Sequence, residues 1–426
     1  SEGTVDRNTL ATMRDTMTHR GPDDAGLYVN HRETVGLAHR RLSIIDLSPA
    51  GHQPMTNEDG TVWLAFNGEI YNFQTLKTEL LAAGHVFQSH TDTEVIIHGY
   101  EEWGLDCIKR LRGMFAFALW DGGRERLVLG RDRLGIKPLF YHVKEGDLSF
   151  ASELKAIRAN PDIELQLDES AVYDYFTYRY IPTPKTIYRN VWKLPPASYA
   201  VLERGKLTLE RYWDPAFNSS GPVSVEEAAV LVQHKLKEAV DLHLIADVPV
   251  GVMLSGGLDS SSLLAFAAQS ASQSLHTFSI GFDVEQHSET RFARVVAERY
   301  NSRHHELTVT REMARELESK VIEMYDEPFA DSSAIPTSIV SELARNNVKV
   351  ALSGEGGDEI FGGYGWLALS RNMNGVVAIP RPVRQLTSQA FQRMPTGFKG
   401  LWTMETAALS PVLRYAKFIS AFSRSE

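Results

Sequence analysis

Two textures of hydrophobic patterning divide the chain. Between residues 26 and 150, short runs rich in β-branched and aromatic residues alternate with turn signals: Thr61–Phe66, Met114–Trp120, Arg126–Gly130 and Pro138–His142. Such runs predict strands, because these side chains pack well on a pleated, half-buried surface. Gly122-Gly123 falls between two of them and predicts a hairpin turn. Helical spacing intervenes at 72–83 and 93–103. Strand runs with few helices predict a layered α+β domain on mainly antiparallel sheet.

After Asp214 the pattern changes. Asn218-Ser219-Ser220-Gly221-Pro222 is the strongest linker signal. Beyond it, helical spacing at 225–245, 260–271, 287–300, 311–324 and 335–346 alternates with apolar runs at 249–254, 276–281, 303–308 and Val348–Leu352. That alternation predicts an α/β domain with a doubly wound parallel sheet. The expected division is residues 1–213, a linker at 214–224, and residues 225–426.

Composition narrows the classes. A length of 426 residues suits two or three domains. The formal net charge is −10, unevenly spread: residues 371–426 carry +6 and residues 1–370 carry −16. This reads as a basic helical region packed on an acidic body, and the overall sign disfavours a nucleic-acid partner. The single cysteine, Cys107, excludes an internal disulfide framework and a Cys-rich zinc site. It fits a reducing, cytoplasmic compartment, and Cys107 itself reads as a small buried apolar residue. No apolar run is long enough to span a membrane, so neither a membrane span nor a secretory signal is expected.

The most informative stretch is Val248–Ser261. An apolar strand runs into Ser255-Gly256-Gly257-Leu258-Asp259-Ser260-Ser261, and a helix is expected from Ser262. Glycines let consecutive N–H groups turn into one concavity, and a helix N-terminus adds partial positive charge. Asp259 can hold Mg²⁺, which binds through one or two carboxylates plus phosphate oxygens. No GxxxxGK[ST] is present, so the loop is not of the Walker type. A second stretch, Ser353-Gly354-Glu355-Gly356-Gly357-Asp358-Glu359, follows the strand expected at Val348–Leu352. It should open at the same carboxyl edge, where ligands bind in open α/β sheets. Asp358 could then complete a Mg²⁺ site with Asp259.

Together these loops resemble the N-type ATP pyrophosphatases. The N-terminal half narrows the resemblance to the glutamine-dependent asparagine synthetase family. Thr18-His-Arg-Gly-Pro-Asp23, Arg40-Arg-Leu-Ser-Ile-Ile-Asp46, Asn67-Gly-Glu-Ile-Tyr-Asn72 and Thr91-Asp-Thr-Glu94 match that family's glutaminase domain in order and approximate spacing. Arg131-Asp-Arg-Leu-Gly-Ile-Lys-Pro-Leu139 and Ala151-Ser-Glu-Leu-Lys155 match its later hallmarks.

The resemblance implies an N-terminal-nucleophile hydrolase domain (αββα) joined to a synthetase domain like the adenine nucleotide α-hydrolases. It implies glutamine hydrolysis in the first and, in the second, adenylation of a carboxylate with ATP and Mg²⁺ followed by amidation. Aspartate is the leading acceptor. A uronic acid of a surface polysaccharide or a peptide carboxylate is the alternative, and an inactive nucleotide-binding relative a further one. A β-lactam-forming relative would not need the glutamine-pocket motifs. On this resemblance Arg41, Ile44, Asn67, Glu69 and Asp92 bind glutamine, with Asn67 and Gly68 forming the oxyanion hole. Ser255, Gly256, Gly257, Ser260 and Ser261 cradle pyrophosphate, while Leu254, Ile280, Ser353 and Gly354 line the adenylate pocket. Glu355 stands beside the acyl-adenylate. Asp326–Pro336 is expected near the acceptor. The family's catalytic cysteine is expected ahead of Ser1 and its phosphate-contacting lysine beyond Glu426. A homodimer is what the family suggests.

Overall fold

The computed structural model describes residues 4–217, 223–283, 288–365, 367, 374–391 and 401–419. Helix α1 (Arg7–Asp15) precedes a hairpin of β1 (Asp24–Val29) and β2 (Gly36–Arg41). Strands β3 (Met55–Thr56) and β4 (Val62–Ile70) follow, then helices α2 (Phe73–Ala82), α3 (Glu94–Trp103) and α4 (Cys107–Arg110). After β5 (Gly113–Asp121), β6 (Arg126–Arg131), β7 (Phe140–Lys144) and β8 (Asp147–Ala151) come α5 (Leu154–Arg158) and α6 (Glu169–Tyr178). Strands β9 (Val191–Lys193), β10 (Ser198–Glu203) and β11 (Lys206–Arg211) close the first domain. A six-stranded antiparallel sheet runs β11-β10-β6-β5-β4-β3, and a three-stranded one runs β8-β7-β9.

The period of two explains the layers. Val62, Leu64 and Phe66 of β4, with Phe115, Phe117 and Leu119 of β5, pack under Leu76 and Leu80 of α2 and Ile96 and Ile97 of α3. The alternate residues Ala116, Ala118 and Trp120 turn the other way, against Leu37 of β2 and Tyr141 of β7. The second sheet's outer face is covered by Leu154 and Ile157 of α5 and Ala171 of α6. The result is the expected α–β–β–α stack. Because β5 is buried on both faces, its sequence is apolar almost without interruption. Truncating the fully buried Phe115 to Ala would cost about 3–5 kcal/mol.

Local details differ from expectation. The hairpin joining β5 and β6 forms, but its left-handed residue is Glu125, at φ 51°, while Gly122 and Gly123 keep ordinary dihedrals. The expected strand at Thr61–Phe66 runs on to Ile70, so Asn67, Gly68 and Glu69 sit in β4 paired to β5.

The second domain begins with α7 (Val225–His243), whose Ser224–Glu227 capping box fixes its start. Then come β12 (Val250–Met253), α8 (Leu258–Ser270), β13 (His276–Phe282), α9 (Thr290–Arg299), β14 (Arg303–Val309), α10 (Arg311–Tyr325), α11 (Ala334–Arg345), β15 (Val350–Leu352) and α12 (Gly357–Phe361). Helices α13 (Asn374–Val377), α14 (Arg381–Phe391), α15 (Leu401–Ala408) and α16 (Pro411–Ile419) end the described chain. All described pairs in the sheet β14-β13-β12-β15 are parallel. Val240, Leu264, Ala293 and Ala297 cover one face through α7, α8 and α9, whereas Ala344 of α11 and Val348 pack with Phe278. The chain winds outward from β12 to β14, then returns to place β15 on β12's other side. The strand order therefore reverses between β12 and β15. The linker signal at 218–222 lies outside the described residues.

The domains touch through specific bonds. Asp46 donates its N–H to Asp247 Oδ2 at 2.8 Å, and Asp247 donates its own to Ile44 O at 3.0 Å. Lys349 Nζ lies 2.7 Å from Asp23 Oδ2. Lys155 pairs with Asp326, and Lys193 with Glu327.

Candidate functional sites

The first site is a cavity of about 430 Å³ whose walls include Arg41, Ile44, Asn67, Gly68, Glu69 and Asp92. All six residues expected to bind glutamine or stabilise its oxyanion thus meet in one place. Arg41 ends β2 and is 7% exposed. Its guanidinium donates to the carbonyls of Ser48 (3.2 Å), Ile45 (3.2 Å) and Asp46 (2.6 Å). Those bonds engage three of its five N–H donors and leave two for a ligand. Gly51 lies against the guanidinium so closely that a Cβ would stand 1.9 Å from it.

Asn67 and Glu69 reach the cavity because β4 carries them along the β5 edge. At Gly68 a Cβ would meet Met114 O at 2.2 Å, so only glycine permits that strand approach. Asn67 Nδ2 is buried and has no hydrogen-bond partner. An unpaired buried donor costs roughly 1–3 kcal/mol, so its presence points to a ligand acceptor. Asp92 is 5% exposed and accepts the Ile70 N–H at 2.7 Å. Burial raises its carboxyl above the usual range. Burial, then repulsion from Asp92, raises Glu69 as well. Two crowded acids above one cavity suit a cationic ligand group.

Arg20, His39, Lys137 and Glu153 are among the other residues lining this cavity. Lys137 is half-buried, and desolvation followed by the Arg20 charge lowers its pKa. Arg20 Nη1 donates to Glu153 Oε1 at 3.0 Å. His39 donates from Nε2 to Phe66 O at 2.9 Å, and burial lowers its pKa to about 4, so the ring is neutral. Arg20, Lys137 and Glu153 lie inside the quoted motifs, and His39 adjoins another. That proximity was the available signal. Asp132 sets Lys137 in place by accepting the N–H groups of Leu134, Ile136, Lys137 and Phe115 at 2.9–3.1 Å. Arg131 ties the same loop to the carbonyls of Gly135, Lys137 and Leu194.

Cys107 is not a nucleophile here. It sits in α4 at 3% exposure, and burial pushes its thiol up to about 12.

The second site lies at the switch between β12 and β15. Gly256 adopts φ 86°, and a Cβ there would meet Ala293 N at 2.6 Å. Gly257 precedes α8 with no side-chain cap, leaving the helix N–H groups open to an anion. Helix α8 starts at Leu258, earlier than the expected Ser262, so Asp259, Ser260 and Ser261 occupy its first turn. Ser260 is buried, its hydroxyl turned inward to Ser255 Oγ at 3.0 Å, where it shapes the loop. Ser261 Oγ is buried and unpartnered. Leu254 is held by its N–H to Phe278 O at 2.8 Å, and Ser279 Oγ donates to Leu254 O. Ile280 is half-buried on the neighbouring strand β13.

The register Val252↔Leu352 brings the second loop alongside the first. A Cβ on Gly354 would stand 3.1 Å from Asp259 Cβ, and one on Gly357 2.6 Å from Asp259 Oδ2. Glycines at these positions let the two loops close up. Gly357 opens the short α12, which places Asp358 in its first turn. Asp259 and Asp358 are exposed carboxylates from abutting loops, a hard-oxygen pair that fits Mg²⁺ bound with phosphate and water. Ser353 and Glu355 are exposed on the same loop.

A layered antiparallel domain with an acid- and arginine-lined cavity, joined to a parallel sheet with a phosphate-type loop at its switch point, defines a two-site enzyme class. Residues 1–213 match the family described as "Glutamine amidotransferase domain", and residues 231–418 match "Asparagine synthase". The chain belongs to the glutamine-hydrolysing asparagine synthetase family. It is 36% identical over 420 residues to asparagine synthetase [glutamine-hydrolyzing] 1 of Bacillus subtilis, covering 98% of this chain and 65% of that protein. It is 36% identical over 405 residues to the putative asparagine synthetase [glutamine-hydrolyzing] 2 of Methanocaldococcus jannaschii, covering 90% and 78%. The chain thus spans about two thirds of the length of the first of these relatives.

Proposed function

We propose that this chain forms the glutaminase and adenylating parts of an ATP-dependent amidotransferase that converts aspartate to asparagine with glutamine as nitrogen donor. The observation that carries the reading is the buried, unpartnered Asn67 amide facing a cavity walled by Arg41, Glu69 and Asp92. Arg41 donates a remaining N–H to the glutamine α-carboxylate, a charge-assisted bond, and the Glu69–Asp92 pair takes the α-ammonium. Asn67 Nδ2, with the Gly68 N–H, receives the oxygen that becomes negative when a nucleophile attacks the side-chain amide.

In the second domain the N–H groups opening α8 and the Ser261 hydroxyl receive the β- and γ-phosphates of ATP. Asp259 and Asp358 would hold Mg²⁺, which neutralises phosphate charge. The aspartate side-chain carboxylate attacks the α-phosphorus, and pyrophosphate leaves. Ammonia then attacks the acyl carbon of the mixed anhydride, Glu355 accepts a proton, and AMP departs. Leu254, Ile280, Ser353 and Gly354 wall the adenylate.

The test is pyrophosphate release by the full-length enzyme supplied with ATP, Mg²⁺, ammonia and, separately, aspartate, glucuronate or a peptide carboxylate. Aspartate-dependent release with asparagine as product is expected. Release with another acceptor alone would reassign the substrate, and none with any acceptor would overturn the reading.

A further inference from the structure

Away from both sites, the turn between α2 and α3 brings two imidazoles and a carboxylate together. His85 follows Gly84 at the end of α2, where its N–H returns to Leu80 O at 3.1 Å. His98 and Glu101 stand one turn apart on α3. His98 Nδ1 lies 2.9 Å from Glu101 Oε2, and His85 Nδ1 lies 3.7 Å from the same oxygen. The three ligand atoms lie within 4.8 Å of one another. Bonds of about 2.0–2.1 Å in a tetrahedral zinc site require ligand–ligand edges of about 3.3 Å. The two measured edges bracket that value.

The surroundings are arranged as a metal site needs. Each imidazole has a carboxylate on its far nitrogen: Glu94 Oε1 is 3.5 Å from His98 Nε2, and Glu102 Oε2 is 3.2 Å from His85 Nε2. Such partners fix the tautomer, leave Nδ1 free to ligate and raise its basicity. The second oxygen of Glu101 accepts Asn57 Nδ2 at 2.7 Å. Glu94 is itself held by the N–H groups of Gln88 (2.7 Å) and Ser89 (2.8 Å). The side chain of His98 is 2% exposed and that of Glu101 25%, so the site is dry on one side and open to an entering ion on the other.

We propose that His85, His98 and Glu101 bind a divalent transition metal of the zinc class, with water in the fourth position. The ion would pin the end of α2 to α3, whose first turn adjoins Asp92 at the cavity wall. With no ion bound, the His98 ring lies between the same carboxylates, Nδ1 toward Glu101 and Nε2 toward Glu94. The two states predict different measurements.

Full-length protein stripped with EDTA is titrated with ZnCl₂ by calorimetry, and separately with Co²⁺ as an absorbance probe. Expected are one equivalent of tight binding and the visible bands of four-coordinate Co²⁺. His85→Gln, at the partly exposed end of α2, should weaken binding at least 100-fold while melting like the parent without metal. Glu102→Gln should weaken it about 10–100-fold by releasing the His85 ring. Equal zinc binding by parent and His85→Gln, or six-coordinate Co²⁺ bands unchanged by that variant, would overturn the site and leave only the ion-free cluster. The readout is metal binding, so it stands or falls apart from any turnover.

Discussion

Lys155 of the first domain and Asp326 of the second are joined twice: Nζ lies 3.2 Å from Oδ1, and the Lys155 N–H donates to Oδ2 at 3.0 Å. The Asp326 side chain is 5% exposed, and its backbone is left-handed at φ 61°. Lys155 also bonds Glu153, which holds Arg20 in the cavity wall. A chain of charge thus runs from the glutamine cavity to the segment expected beside the acceptor. Asp326→Asn keeps the left-handed turn, which Asn tolerates, and one acceptor, but removes the charge. Chemical denaturation should show a loss of about 1–3 kcal/mol. Unchanged stability would mean the pair contributes nothing across the boundary.

Removing the unpartnered donor should separate the two chemistries. Asn67→Ala is expected to lower glutaminase kcat about 10²–10³-fold. Synthesis supplied with free ammonia should continue at the parent rate. Equal loss in both assays would place Asn67 in the scaffold instead.

The opposite split is expected at the phosphate loop. Asp259→Asn should reduce pyrophosphate release by about 10³-fold, the equivalent of several kcal/mol of lost charge stabilisation. Glutamine hydrolysis, measured as glutamate formed, should be retained.

The acid pair gives a pH dependence with a definite sign. Glu69 and Asp92 both have raised pKa values, so the folded protein holds a proton the unfolded chain has released. The stability this supplies is complete below the ordinary carboxylate range and is lost as pH climbs through the raised values. An ammonium ligand displaces that proton, so glutamine KM should fall over the same rise. Glu69→Gln should flatten both curves and raise KM about 10-fold or more, as loss of a charged hydrogen bond would. A KM profile identical to the parent's would exclude Glu69 from the ammonium site.

Gly256 is required on two counts, its φ of 86° and the 2.6 Å approach to Ala293 N. Gly256→Ala should cost at least about 1–2 kcal/mol from the left-handed conformation alone. It should also abolish ATP-dependent pyrophosphate release. A variant melting and turning over like the parent would show the loop to be pliable.

Local spacing made the two glycine loops legible, because a strand, a turn of glycines and a helix leave a contiguous signature. Their adjacency also followed, since β12 and β15 both end in such loops. Other features depend on distant partners. β4 continues through Asn67-Gly68 only because β5 pairs with it, and the dipeptide by itself reads as a turn. Lys137 enters the cavity because Asp132 gathers the N–H groups around it, a role that spacing does not disclose. Ser260 looked like a ligand contact, yet its position on the first turn of α8 directs it inward.

The bonds of Asp247 to Asp46 and Ile44 make β12 a ruler. From Asp247 to Ser255 the chain is eight residues, at most about 29 Å when extended. One end is tied to the loop whose carbonyls grip Arg41, and the other is the phosphate loop. β12 is flanked by β13 and β15, so the rod between them is braced on both sides. Any reorientation that changes the spacing of the two chemistries has first to break the hydrogen bonds at Asp247.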